Sequence, residues 1–295
     1  MVENVDRTAT YVYCLIAGNR VPALGRVAAG LPGMGPVRLL DVNEDDSTAP
    51  EQTNAPRSRR QGPAEVGRHV RHVSGRSQKQ WLVVADAPIP QFGDASINRR
   101  LSDLDWVSRA AVAHEAVVES FIDAPAVLPM KLFTIFNNDA RALDHLRRER
   151  SRIASLLKRV DGHHEWGVRV VLDPAYRPPA KRRADVEASA APGVAYLSLK
   201  KAQRDHASEL VRRARTTVAD LYDRLQAQAS ASRRRTAAEL PVKGGPLLLD
   251  AAFLVPRSRS GQFRALVGRQ SKALASHGYQ LTMSGPWPPY TFIQD

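Results

Sequence analysis

Residues 284–293, Ser-Gly-Pro-Trp-Pro-Pro-Tyr-Thr-Phe-Ile, concentrate more conformational restriction than any other stretch of this chain. Pro286, Pro288 and Pro289 fix their own φ at about −65° and push the residues before them out of the helical region. Trp287, Tyr290 and Phe292 are thereby held in an extended segment. A disordered tail is poor in aromatic and bulky apolar residues. This one is rich in them, and it follows Tyr279-Gln-Leu-Thr-Met283, whose alternation reads as a strand. The expectation is an ordered C-terminal strand with the Trp287 and Tyr290 rings packed on the body of the protein. Pro286-Trp-Pro-Pro289 also satisfies the bare P-x-x-P pattern that SH3 and WW modules bind.

The length of 295 residues exceeds the roughly 100–200 of a typical domain, so two α+β domains are expected, over 1–137 and 138–295. Cys14 is the one cysteine, within the apolar run Tyr11 to Ala17. It reads as a buried small hydrophobe, and a chain that can form no internal disulfide fits a reducing, cytoplasmic compartment. No apolar run approaches the ~20 residues of a membrane span, so no membrane partner is expected.

The net charge of +13 raises a basic nucleic-acid-binding protein as the alternative reading. Seven Arg/Lys and a single acid, Glu65, lie between Arg57 and Lys79, a stretch that also has Pro56, Gly62, Pro63, Gly67 and Gly75 nearby or within it. Residues 43–79 therefore read as a mobile basic insertion. No helix-turn-helix, RNP, KH or zinc pattern accompanies the charge, and aromatics do not alternate with it as single-strand binders require. No nucleic-acid partner is expected.

Strands are predicted at Thr10–Ala17, Val37–Val42, Trp81–Ala85, Ala126–Phe136, Glu165–Leu172, Leu247–Val255 and from Tyr279 onward. The glycines of Gly30-Leu-Pro-Gly33-Met-Gly35-Pro36 lack the spacing of a phosphate cradle. Ala126–Phe136 is apolar on both alternating faces, with Leu128, Met130 and Leu132 on one and Val127, Phe133 and Ile135 on the other, the pattern of a central strand. Lys131 is its lone charge. Helices are predicted at 97–122, from a cap at Asn138 or Asp139 to Val160, at 196–229 with Leu210, Ala214, Val218, Leu221 and Leu225 as its stripe, and at 262–277 behind a Ser260 cap.

On the first of these helices the predicted apolar stripe is Leu104, Val107, Ala111, Val118 and Ile122, with Glu115 inside it. His114 lies at the stripe's edge and Glu119 on the other flank. His114-Glu115 resembles the start of a zinc helix, but H-E-x-x-H needs a second histidine where Val118 stands. His163 and His164 are adjacent in extended chain and point oppositely, which disfavours a metal pair. No nucleophile, phosphate loop or ligand set is visible, so no catalytic, cofactor or metal residue is expected. Glu115 and Lys131, each a lone charge in an apolar setting, are expected to pair, because burying either alone costs several kcal/mol.

Five segments in register carry a further signal: Trp106–Glu119 with its His-Glu-x-Val-x-Glu, Val127-Leu-Pro-Met-Lys131-Leu-Phe-Thr-Ile-Phe136, Glu165-Trp-Gly-Val168, Ala195-Tyr-Leu197 with Lys200-Lys201, and Gly285-Pro-Trp-Pro-Pro-Tyr290. Together they resemble the gas vesicle GvpL/GvpF proteins across nearly the whole chain outside 43–79. Phe133 departs from the pattern, standing where the family's strand usually has glycine. The resemblance implies a ferredoxin-like N-terminal domain and a modified ferredoxin-like C-terminal domain ending in the Pro/aromatic segment. It also implies a non-enzymatic accessory or minor structural role in gas vesicle assembly, without a cofactor, in contact with the small hydrophobic shell protein and other gas vesicle accessory proteins. His114, Glu115, Glu119, Lys131, Trp166, Trp287 and Tyr290 are the structural or interaction candidates. The oligomeric state and the choice between F-like and L-like branches are not encoded in any of these motifs.

Overall fold

The computed structural model describes residues 8–43, 78–173, 176, 200–201, 212–235 and 246–294. Two antiparallel sheets carry a mixed α/β fold. The first contains β1 (Thr8–Gly18), β2 (Arg38–Asp41), β3 (Lys79–Pro88), β4 (Ala126–Pro129) and β5 (Ile135–Phe136), in the order β2-β3-β1-β4 with β5 also paired to β1. The second contains β6 (His163–Leu172), β7 (Ala231–Arg234), β8 (Leu247–Pro256) and β9 (Tyr279–Trp287), in the order β7-β8-β6-β9. The helices are α1 (Ile89–Phe92), α2 (Asp94–Arg100), α3 (Leu104–Glu119), α4 (Asp139–Arg148), α5 (Arg150–Val160), α6 (212–226) and α7 (Ser260–Ala275). The chain groups into two compact units, 1–124 with 130–154 and 125–129 with 155–295. All of the predicted insertion beyond Asn43 and before Gln78, like Leu210, lies outside the described residues.

In the first unit the central strand is β1, whose residues Ala9 to Gly18 are all buried, as a strand covered on both faces requires. Cys14 is fully buried within it. The predicted strand 126–136 is instead broken. β4 ends at Pro129, and a turn spans 130–134 before β5. Leu128 is buried as expected, but Met130 and Leu132 are half-buried and Lys131 is exposed. The premise of a Glu115–Lys131 pair therefore fails, since a lysine already in water gains little from an ion pair. The turn closes on Lys131's own carbonyl, which accepts from Thr134 N–H (3.1 Å) and Thr134 Oγ1 (2.7 Å).

The helical pattern predicted over 97–122 divides into α2 and α3, because the Asp103 carboxylate caps Trp106 N–H at 3.0 Å and starts a new helix. The stripe on α3 is also displaced. Trp106, Ala110, His114, Val117, Val118 and Phe121 are buried, whereas Leu104 is 76% exposed and Ala111 is exposed. Packing selects the face that removes two aromatic rings from water, a larger gain than the aliphatic face offers. The long helix predicted up to Val160 is interrupted at Glu149, which caps α4 with φ of −91° and ψ of 10°, outside the helical region. Asn138, accepting from Arg141 N–H at 3.0 Å, provides the cap. Asp139 instead joins Arg38, whose guanidinium reaches both Asp139 oxygens (2.8 and 2.9 Å) and Asp86 (2.6 Å).

In the second unit one face of the sheet carries Trp166, Val168, Val170, Leu249, Ala251, Phe253 and Val255. The α6 stripe of Ala214, Val218, Leu221 and Leu225 covers it together with Phe263 and Val267 of α7. Those α6 positions are the ones the 3.6-residue period predicts. α7 starts one residue earlier than a Ser260 cap would allow. Arg259 is its N-cap, and Ser260 is helical, with its hydroxyl directed at Pro256 O (3.5 Å). β7 has no counterpart among the predicted strands, because Ala-Ser-Arg-Arg on an edge has no apolar alternation.

Phe133 has φ of 62°, in the left-handed region where a bulky side chain costs roughly 1–2 kcal/mol. Its ring stacks on Trp106 with centroids 5.0 Å apart and planes 5° from parallel. The side chain thus offsets the strain that its own backbone carries. Phe133→Ala should lose the stacking and keep the strain, whereas Phe133→Gly loses the stacking and relieves it. Chemical unfolding should therefore find the glycine variant about 1 kcal/mol more stable than the alanine variant. Equal stability, or a more stable alanine variant, would contradict this account of the turn.

Candidate functional site

Two buried polar centres organise the surfaces that remain exposed. In the first unit, His114 on α3 is 4% exposed and lies between Tyr11 of β1 and the 130–134 turn. Its Nε2 is 3.2 Å from Met130 O, which can only accept, so Nε2 carries the proton. Nδ1 is then the acceptor of the Tyr11 hydroxyl at 2.7 Å. Tyr11 Oη accepts in turn from Phe133 N–H at 3.4 Å. The chain of donors runs from Phe133 through Tyr11 and His114 to Met130, tying both ends of the turn to the core. Burial pushes the His114 pKa down from 6.5 to about 4 and pushes the Tyr11 hydroxyl up, so both are neutral at pH 7. Tyr13 completes the cluster, with its ring 4.8 Å from Tyr11 and its hydroxyl accepting from Leu31 N–H at 3.2 Å. Gly30 beside it has φ of 80°, and a Cβ there would collide with the Tyr13 hydroxyl.

In the second unit, Glu165 of β6 is 2% exposed on the sheet face opposite α6 and α7. Its Oε2 accepts from Thr291 N–H (2.8 Å), and its Oε1 accepts from Thr291 Oγ1 (2.6 Å) and Arg235 (2.9 Å). Arg235 also lies 3.6 Å from Asp250, which takes two further hydrogen bonds from Arg169 at 3.0 and 2.8 Å. Burial raises the Glu165 pKa, opposed by the Thr291 donors and Arg235. This carboxylate fixes where the Pro/aromatic tail goes. Pro288, Pro289 and Phe292 are buried, and Phe292 packs on Ala252 and Leu254. Gly285, with φ of 113°, crosses β6 where a Cβ would stand 2.9 Å from Glu165 O, so only glycine fits. The Gly285–Pro286 peptide is cis.

The seven candidates from the sequence do not converge on one point. His114 is buried, Glu115 and Glu119 are half-buried on α3, and Lys131 is exposed in the turn. Trp166 is a core residue of the second unit, 6.4 Å from Phe263, and its indole N–H has no acceptor among the described residues. Tyr290 is half-buried in a 3-10 turn, Tyr290–Phe292. Trp287 corrects the expectation of a packed ring, because it is 36% exposed. The tail bends away at Pro288 toward Glu165 and leaves the indole at the surface. Tyr11, Glu165, Arg235 and Thr291 were not singled out by sequence, and Phe133 stood out only as a departure from the usual glycine. Glu165 and Asp250 were visible only as acids at the start of, or interrupting, apolar strands.

Among the described residues the exposed large apolar side chains are Val21, Leu24 and Ile89, scattered singly along the first unit, and two further groups. Around α3 these are Leu101 (47%), which ends α2, and Leu104 and Val112 (70%) on α3 itself, of which Leu104 alone belongs to the predicted stripe. On β9 they are Met283 and Trp287, each 36% exposed. Among the described residues β9 is an edge strand, so its outer row of backbone groups has no partner strand there. Among the described residues no group of three or more His, Cys, Asp or Glu could hold a metal, and no helix is long and apolar enough to cross a membrane.

The depressed His114 pKa makes stability depend on pH. A group whose pKa falls on folding contributes in full above its unfolded value of 6.5, and that contribution is lost as pH falls toward about 4. At about 1.4 kcal/mol per unit, the loss is about 3 kcal/mol. The unfolding free energies of wild type and His114→Gln should therefore converge by that amount between about pH 7 and about pH 4. A pH-independent difference would show that His114 is not held neutral by the fold.

Comparison with known proteins places these features in a family. The profile of "Gas vesicle synthesis protein GvpL/GvpF" matches residues 9–294. The chain is 32% identical to Gas vesicle protein L of Streptomyces sp. (strain CB03234) over 212 residues, 71% of this chain and 78% of that one. It is 26% identical to Gas vesicle protein F of the same strain over 200 residues, 65% of this chain and 80% of that one. Crystal structures of GvpF from Anabaena sp. PCC7120 and from Microcystis aeruginosa share its fold, each with a TM-score of 0.59 at 14% identity. The first match covers 98% of this chain and 97% of the other, the second 97% and 99%. The chain belongs to the GvpL/GvpF family of gas vesicle proteins.

Proposed function

We propose that this protein is a non-enzymatic accessory of gas vesicle assembly that binds the hydrophobic shell protein, together with other accessory proteins, and acts at the gas vesicle without cofactor or nucleotide turnover. Membership of the family supplies the context. The observation that carries the reading is the exposure of Leu101, Leu104, Val112, Met283 and Trp287 around a well-packed interior. A shell subunit apolar enough to line a gas space aggregates in water unless its surface is covered before incorporation. The apolar face of α3 supplies packing surface for that purpose, and the free edge of β9 supplies backbone donors and acceptors for strand addition.

Co-expression with the shell protein, followed by pull-down at low and at moderately high salt, tests the reading. Apolar recognition should survive the salt, whereas nucleic acid held by charge alone should be lost. The Leu104→Glu/Val112→Glu and Met283→Glu/Trp287→Glu pairs should each lower shell-protein retention about ten-fold or more, since burying one such side chain is worth roughly 1.5–3 kcal/mol. Their unfolding free energies should stay within about 0.5 kcal/mol of wild type, because these side chains are already outside the core. Retention of nucleic acid but of no gas vesicle protein in either buffer would overturn the proposal.

A further inference from the structure

From Ala251 to Gln294 the chain has no aspartate or glutamate, while Arg257, Arg259, Arg264, Arg269 and Lys272 all fall within it. α7 lies in the middle of this acid-free stretch. Its inner face is committed to the core through Phe263 and Val267, with Leu266 and Leu274 partly buried beside them. At about 100° per residue, Arg264 and Arg269 stand on the two flanks of the outer arc and Lys272 between them, all exposed. Gly261, Ala265, Gly268 and Ala275, also exposed, fill the remainder. A Cβ at Gly261 or Gly268 would meet nothing within 4 Å, so these glycines make the arc shallow without serving the packing of this chain.

Cations on a solvated helix face are ordinary, and elsewhere in this protein they have acids beside them. Arg147 pairs with Asp144 and Arg152 with Glu149, each one turn away. On α7 the arrangement differs. Among the described residues Arg264, Arg269 and Lys272 form no ion pair, and sequence neighbours offer none. Their charges meet only solvent in this chain, which leaves them open to carboxylates of another molecule.

We propose that the outer face of α7 docks an acidic helical segment of a partner protein. The span from Arg264 to Lys272 is about 12 Å along the axis, the length of two turns, so carboxylates one and two turns apart on an incoming helix meet all three cations. The Gly/Ala strip between the cations lets the two helices approach at short interaxial distance. A nucleic-acid strand is the less suitable occupant, because single-strand sites combine their charge with aromatic stacking platforms, and the one aromatic of α7, Phe263, is fully buried. This surface is separate from the apolar one assigned to the shell protein and does not depend on that assignment.

The test uses the full-length chain and three labelled probes in fluorescence anisotropy. One is a capped peptide of about 16 residues, alanine-based, with glutamates one and two turns apart on one face. The second replaces those glutamates by glutamine, and the third is an oligothymidylate of about 20 nucleotides. Wild type should bind the Glu peptide about ten-fold or more tightly than the Gln peptide. Arg264→Glu/Arg269→Glu/Lys272→Glu should abolish that preference, and the milder triple change to glutamine should weaken binding about ten-fold. Arg20→Glu/Arg26→Glu/Arg148→Glu makes the same change in net charge at other exposed positions and should weaken binding by less than about three-fold. Equal weakening by both charge-reversed variants would reduce the effect to net charge and overturn the proposal. So would equal affinity for the two peptides, or tighter binding of the oligothymidylate that is lost with the α7 cations.

Discussion

A carboxylate at 2% exposure inside a sheet must be satisfied from within the protein, and Glu165 takes its hydrogen bonds from the last turn of the chain. That requirement fixes the path of residues 284–293. Thr291 has to reach Glu165, so the tail folds over the sheet face opposite the helices and lays Phe292 on Ala252 and Leu254. Arg159 and Arg233 hold the same tail through the carbonyls of Phe292 and Thr291, at 3.2 and 3.3 Å. The prolines restrict the alternatives, and the glycine at 285 permits the crossing. With the end of the chain committed in this way, Trp287 is left at the rim of an edge strand, where its ring can serve another molecule.

The first unit solves an analogous problem with neutral groups. The 130–134 turn contains a strained Phe133 and leaves backbone donors and acceptors near the core. Tyr11 and His114 supply a directed chain of hydrogen bonds to both ends of it. A histidine that stays uncharged by burial is suited to this, since each ring nitrogen has one fixed role. In both units the polar side chains are structural anchors, and the chemistry left for partners is apolar exposure and unpaired positive charge.

Much of this was legible in the sequence. Alternation and apolar runs located eight of the nine described strands at least in part, and the 3.6-residue period selected the buried face of α6 correctly. The same period failed on α3 because two apolar stripes compete there. Periodicity counts Leu104, Val107 and Ala111 as equal to any others, whereas packing weighs Trp106 and Phe121 more heavily. The polarity of His114 disguised its place on the winning face. The turn at 130–134 was hidden because every residue in it except Lys131 and Thr134 is apolar, so pattern reading extended the strand through it. Anchors such as Glu165–Thr291, 126 residues apart in sequence, depend on tertiary contact and leave only an isolated acid as a local sign.

The central claim is that the interior is held by its own polar anchors so that particular apolar side chains can remain outside for the shell protein. Hydroxyl-radical footprinting of the full chain, alone and in complex with the shell protein, examines those side chains directly, because methionine and tryptophan react readily when accessible. The account predicts that Met283, Trp287 and Leu104 are labelled in the free protein and protected in the complex, while Trp106 and Trp166, both buried, are labelled weakly in each. Unchanged labelling of Met283, Trp287 and Leu104 in a complex that demonstrably contains the shell protein would contradict it.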